Sequence, residues 1–87
     1  MKAKGGYKIR QIANMNILVP EAEEMDFSDV LTMNDSALFI WENIQEETNF
    51  GEILSKMKEN FDADEDVLRV DLAEFLDMLM QKGLLDR

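Results

Sequence analysis

"LTMNDSALFIWENIQ", residues 31–45, changes its period partway along, and that change decides the fold. Leu31 to Met33 reads as the end of a strand, with Leu31 and Met33 on one face and Val30 and Thr32 on the other. Asn34 suits a helix N-cap, because its side-chain oxygen can accept a hydrogen bond from a free amide of the first turn. Asp35 adds negative charge where the helix dipole favours it. Leu38, Trp41, Ile44 and Gln45 then recur at helical spacing, and Phe39 and Ile40 widen the apolar stripe. A strand therefore passes into a helix with almost no linker.

Upstream, "YKIRQIANMNILVP" (residues 7–20) contains two runs of strand character. Tyr7, Ile9 and Gln11 alternate with Lys8, Arg10 and Ile12, and Ile17 and Val19 share a face of a second run that Pro20 ends. Ala13 to Asn16 is the expected hairpin turn, since Asn tolerates the left-handed conformation of tight connections. "EAEEMDF" (21–27) reads as a polar loop, and "SDVLTM" (28–33) as a short third strand. Residues 1–6, "MKAKGG", are expected to form a flexible, frayed tail.

Downstream, Thr48 or Asn49 caps a second helix carrying Ile53, Leu54, Met57 and Phe61 on one side. A third helix is expected from about Asp64 to Lys82, ended by Gly83. Leu68, Leu72, Phe75, Leu76 and Leu79 form its core face. Val67, Val70 and Met78 fall outside that face, interleaved with Asp71 and Glu74. The expected architecture is α+β and winged-helix-like: a three-stranded antiparallel sheet followed by three helices, the last two joined as a helix-turn-helix. An isolated hairpin is marginal in water, so the sheet needs the helical layer on its apolar face.

Composition narrows the function. At 87 residues the chain makes one domain, spanning about residues 7–87, that buries only about 60–65% of its unfolded surface. It has no cysteine, hence neither disulfides nor thiolate metal sites. It has no histidine, hence neither the commonest metal ligand nor the commonest general base. An enzyme is not expected. No apolar run approaches the roughly 18 residues of a bilayer span, and a soluble, cytoplasmic protein without membrane association is expected. Lys2, Lys4, Lys8 and Arg10 stand in residues 1–20 without an acid, so all 19 acidic side chains fall in residues 21–87 against five bases. That field repels phosphate backbones, and no nucleic-acid partner is expected. The third helix, with Arg69 and Lys82 among six acids, is unlike a groove-reading helix.

Three chemical readings fail or weaken on spacing. Asp62, Asp64 and Asp66 mimic the start of a calcium loop, but Val67 stands where the turn needs Gly and Ala73 where the ligation needs an acid. Asp35-Ser36 is similar to the Asp-Ser-Leu motif of acyl and peptidyl carrier proteins, which leaves modification at Ser36 as the alternative function. Those carriers are helical bundles, whereas strands precede Ser36 here, and cap chemistry accounts for the same residues. The hydroxyl side chains have no histidine beside them to act as base, so no nucleophile is identified.

Two stretches resemble the PqqD-like family, the peptide-recognition elements of ribosomal peptide natural-product biosynthesis. The family pattern Leu-Asn-x-x-Gly-x-x-Ile-Trp is matched by "MNDSALFIW" (33–41), with Met33 for Leu and Ala37 for Gly. Its later Asp-Val-x-x-Phe-Leu-x-x-Leu is matched by "DLAEFLDML" (71–79), with Leu72 for Val, followed by Gly83-Leu84. The resemblance spans Tyr7 to Leu85 and rests mostly on core positions. It implies an adaptor without cofactors or chemistry of its own that presents a precursor peptide to a modifying enzyme, often a radical S-adenosylmethionine enzyme. It further implies that the leader segment adds as a strand to the edge formed by Asp29, Val30, Leu31, Thr32 and Met33 and packs on the third helix. The flank of Val67, Asp71, Glu74 and Met78 is taken as its contact surface, with Arg69, Ala73 and Met80 as the opposite, competing flank.

Overall fold

The computed structural model describes residues 1–21 and 31–86. Among them the elements run β1 (Lys2–Ala3), β2 (Tyr7–Ile12), β3 (Met15–Pro20), β4 (Leu31–Met33), α1 (Asp35–Asn43), α2 (Phe50–Asn60), α3 (Glu65–Gln81) and β5 (Leu85–Asp86). The antiparallel sheet expected from the alternation is present in the order β2-β3-β4, and three helices follow it.

The register decides which face meets the helices. Ile9 stands opposite Leu18, and Leu18 opposite Leu31, so these three side chains share one face. Leu18 is 0% exposed and joins Met33 and the buried helix residues in the core cluster. The face that Ile17 shares with Arg10 and Thr32 is the outer one. The turn is tighter than Ala13 to Asn16: Met15 and Asn16 are already paired with Ile12 and Gln11. Ala13 (φ 50) and Asn14 (φ 66) make the whole loop, both left-handed, as in the two-residue turns that match the twist of a hairpin. Asn14 adopts that conformation readily; Ala13 is held there by the pairing on either side.

Asn34 caps α1 as expected, its side-chain oxygen accepting from the Ala37 amide at 2.8 Å. Asn49, not Thr48, caps α2, accepting from the Glu52 amide at 2.9 Å. Ile40, Trp41 and Ile44 enter the core from α1, Ile53, Leu54 and Met57 from α2, and Leu68, Leu72, Leu76 and Leu79 from α3. Phe39 and Phe61 meet edge to face, centroids 5.3 Å apart, closing the outer side of α1 on the end of α2. Gln45, placed on the apolar stripe by spacing, is exposed and donates to the Trp41 carbonyl instead. No helix among the described residues is long and apolar enough to cross a membrane.

The expectation of a frayed tail over residues 1–6 does not describe Lys2 and Ala3. They pair with Asp86 and Leu85. The Ala3 amide donates to the Ile44 carbonyl at 2.7 Å, that of Lys4 to Leu84 at 3.0 Å, and Ala3 is buried. The physical reason lies at the other end of the chain. Gly83 takes φ 73 after α3, the Leu84 amide bonds back to the Leu79 carbonyl at 2.8 Å and the Gly83 amide to Met80 at 3.1 Å. This left-handed cap tucks Leu84 under Leu79 and turns Leu85 back as a strand that needs a partner.

Glu65 at the start of α3 joins it to α2. Its carboxylate accepts from Lys58 Nζ at 2.8 Å and lies 3.7 Å from Arg69. The hydrogen bond from Lys58, then the Lys58 charge, hold the Glu65 carboxyl below its ordinary pKa, with a smaller contribution from Arg69. A carboxyl depressed in the fold favours the folded state above its unfolded pKa and loses that contribution as pH falls through the folded one. In a carbon-detected titration Glu65 is expected to titrate below the ordinary glutamate range, and Lys58→Met to raise it; an unchanged Glu65 curve in that variant would refute the assignment. The turn gives a second expectation. A left-handed L-residue costs about 1–2 kcal/mol, and Gly returns about half of that as unfolded-chain entropy. Ala13→Gly should therefore raise Tm by roughly 2–6 °C, and Ala13→Val should lower it.

Candidate functional site

Because Asn34 caps α1 directly after Met33, β4 (Leu31–Met33) ends beside the first turn of that helix. One side of β4 pairs with β3; among the described residues nothing pairs with the other side. Such an edge exposes backbone donors and acceptors in the spacing an extended chain requires.

A cleft of about 290 Å³ opens between α1 and α3, lined by Asn34, Ser36, Ala37, Ile40, Asp71, Glu74, Phe75 and Met78. Ile40 is buried and, with the half-buried Phe75 and Met78, gives the cleft an apolar floor. Asn34 Oδ1 accepts from both the Ala37 amide and Ser36 Oγ, the latter at 3.0 Å, which fixes one wall. Asp71 and Glu74 are exposed on the other wall, and among the described residues neither carboxylate makes an ion pair. Their spacing with Phe75 and Met78 puts all four on one side of α3. Next to the cleft, Asp66, Val67, Val70 and Asp71 line a shallower depression, where Val67 is 52% and Val70 53% exposed. Asp71 belongs to both.

Of the residues taken from the sequence as a peptide surface, the structure thus brings Asp71, Glu74 and Met78 into one cleft and sets Val67 just beyond it. Leu31 is half-buried and Thr32 exposed, while Met33 is 3% exposed and can offer a ligand its backbone only. Asp29 and Val30 lie outside the described residues. The opposite flank leads elsewhere: Ala73 and Met80 line an apolar depression with Met1, Phe50, Leu76, Asp77 and Leu85, and no residue of β4 or α1 reaches it. Asn34, Ser36, Ala37, Ile40 and Phe75 were missed as cleft residues because cap and core chemistry already explained them. Ser36, weighed above as an attachment point, is engaged in that cap and preceded by three sheet strands, so the carrier alternative is not taken further.

A sequence-family model described as coenzyme PQQ synthesis protein D (PqqD) matches residues 17–85. No curated protein matches the chain. Two solved structures are similar in fold. One, titled "TbiB1 in Complex with the TbiA(beta) Leader Peptide", has a TM-score of 0.74 at 21% identity, covering 99% of this chain and 95% of that one. The other, "Lasso peptide synthetase B1 complexed with the leader peptide", has a TM-score of 0.71 at 12% identity, covering 95% and 93%.

Asn34 carries both the helix start and the cleft wall. Asn34→Ala is expected to cost about 1 kcal/mol, seen as a lower urea midpoint with an unchanged slope. A wild-type midpoint would show that the cap bonds do not hold β4 and α1 together.

Proposed function

The chain belongs to the PqqD family, and we propose that it is a non-catalytic adaptor. In this reading it binds the leader segment of a ribosomally made precursor peptide by strand addition and presents that precursor to a modifying enzyme in the cytoplasm. The observation that carries the reading is that β4, with no partner on its second side among the described residues, leads directly through Asn34 into the wall of a cleft between α1 and α3. Both structurally similar proteins are described as complexes with leader peptides, which supports the same use of the fold.

The leader lies extended along Asp29, Val30, Leu31, Thr32 and Met33, exchanging backbone hydrogen bonds with them. The three of them that the structure describes, Leu31 to Met33, offer at most about four such bonds, worth roughly 2–6 kcal/mol in all. Micromolar affinity needs about 8 kcal/mol, so side chains entering the cleft supply the remainder. Ala37, Phe75 and Met78 accept an apolar group, Val67 extends the apolar contact, and Asp71 and Glu74 accept from a basic or hydroxyl side chain. The modifying enzyme proposed is a radical S-adenosylmethionine enzyme or another peptide-modifying enzyme.

Titration of a leader peptide, taken from a precursor frame beside the gene, into labelled protein should move the amides of Leu31 to Met33 and of the Asp71–Met78 face. Ala37→Phe fills the cleft from a half-buried position at the margin of the core and should weaken binding at least tenfold, with Tm measured beside it to establish that the fold persists. If those amides stay still, or the Phe variant binds like wild type, strand addition at this site is wrong. Asp71→Asn with Glu74→Gln should weaken binding of a leader with a basic residue by about two- to tenfold, as exposed charge pairs do. Added salt should slow association in the wild type more than in that double variant.

A further inference from the structure

The basic strand plays no part in the peptide cleft, and the fold does not explain it either. β2 is the far edge of the sheet, and on the outer face of the β2–β3 hairpin Arg10 stands opposite Ile17, and Ile12 opposite Met15. Lys8 is on the same face. Ile12 is 50% and Met15 47% exposed, and neither they nor Ile17 pack with the core cluster. Lys8 and Arg10 are exposed, and among the described residues neither makes an ion pair. The patch ends at Val19, which is buried.

Lysine and arginine on an edge strand often only guard it against aggregation. That role does not account for Ile12 and Met15, which flank a two-residue turn where polar side chains would serve the hairpin equally well. An exposed apolar tip beside a guanidinium suits a docking surface, Met and Arg both being enriched at interfaces. From Lys8 to the tip the strand is only about 13 Å long, and the whole molecule is 19 Å across its thinnest dimension. Potentials decay over about 8 Å at physiological ionic strength. A bilayer or nucleic acid extends past the patch into the reach of the acidic helices, whereas a protein surface with a local group of carboxylates meets the cations alone.

We propose that the outer face of this hairpin, through Lys8, Arg10, Ile12 and Met15, docks on the modifying enzyme, at an apolar socket edged by carboxylates. This rests on the adaptor reading above and adds where the enzyme sits: on the strand pair at the opposite border of the sheet from β4. Leader and enzyme then do not compete for one edge, and the two contacts select opposite charge, a basic leader and an acidic enzyme surface.

The test uses the full chain in its producing cells, with benzoylphenylalanine at Ile12 and, for comparison, at Val70. Irradiation should give, from position 12 only, an adduct with a peptide-modifying enzyme identified by mass spectrometry. With that enzyme purified, Lys8→Glu with Arg10→Glu should weaken association at least tenfold, and Ile12→Ser should do so without altering charge. Leader affinity should stay within twofold in both variants, which also shows that they are folded. Vesicles containing one-third phosphatidylglycerol should not bind. A position-12 adduct to lipid or to a second copy of the chain, no adduct at all, vesicle binding, or unchanged enzyme affinity in the variants would each overturn the proposal. The adaptor reading fails separately, by absence of leader binding in the wild type.

Discussion

Everything downstream in this molecule follows from the abrupt exit of the chain from the sheet between Met33 and Asp35. Met33 must be buried, since it is one of the contacts that seats the sheet on the helices. Asn34 must be free to turn its side chain onto the Ala37 amide. Meeting both demands in consecutive residues leaves no linker between strand and helix, and it brings the first turn of α1 alongside the end of β4. The cleft against α3 is the space left between a helix that starts too early to be covered and one whose leucines are committed to the core. A longer linker would relax the geometry and uncouple the open edge from the cleft.

That exit was readable in the sequence because two kinds of local chemistry agree there: alternation ends where an Asn-Asp-Ser cap begins. Helix ends were legible for the same reason, Asn49 and Gly83 being residues whose cap role is intrinsic to their side chains. The termini were not legible. Lys2 and Ala3 have no periodicity to reveal a strand, and their pairing with Leu85 and Asp86 depends on a glycine cap about 80 residues away. The hairpin turn was misjudged by two residues because Ala13 has no preference for positive φ; the strand register imposes it.

The site was legible in part. A helix wheel separates Asp71, Glu74 and Met78 from the leucine stripe, but it cannot choose between the two flanks of that stripe. The packing of α1 across α3 sets the two flanks apart, placing Asn34 and Ala37 opposite the first and leaving Ala73 and Met80 to a different depression. Phe75 was counted with the core and is half so: its position on the wheel lies between the stripe and the cleft, and it serves as wall to both. Residues at such borders are those for which burial pattern alone says least about function.

Shallowness is itself informative about the kind of task this surface can perform. The described edge, Leu31–Met33, and the cleft of about 290 Å³ are open to solvent and present a shallow surface. What an open edge does well is to hold an extended chain by repeated weak contacts that form and release quickly, since few side chains must be immobilised and little reorganises. On the proposed reading that is what an adaptor requires: enough affinity to collect a leader, with a residence time short enough that the enzyme, not the adaptor, decides when the precursor leaves.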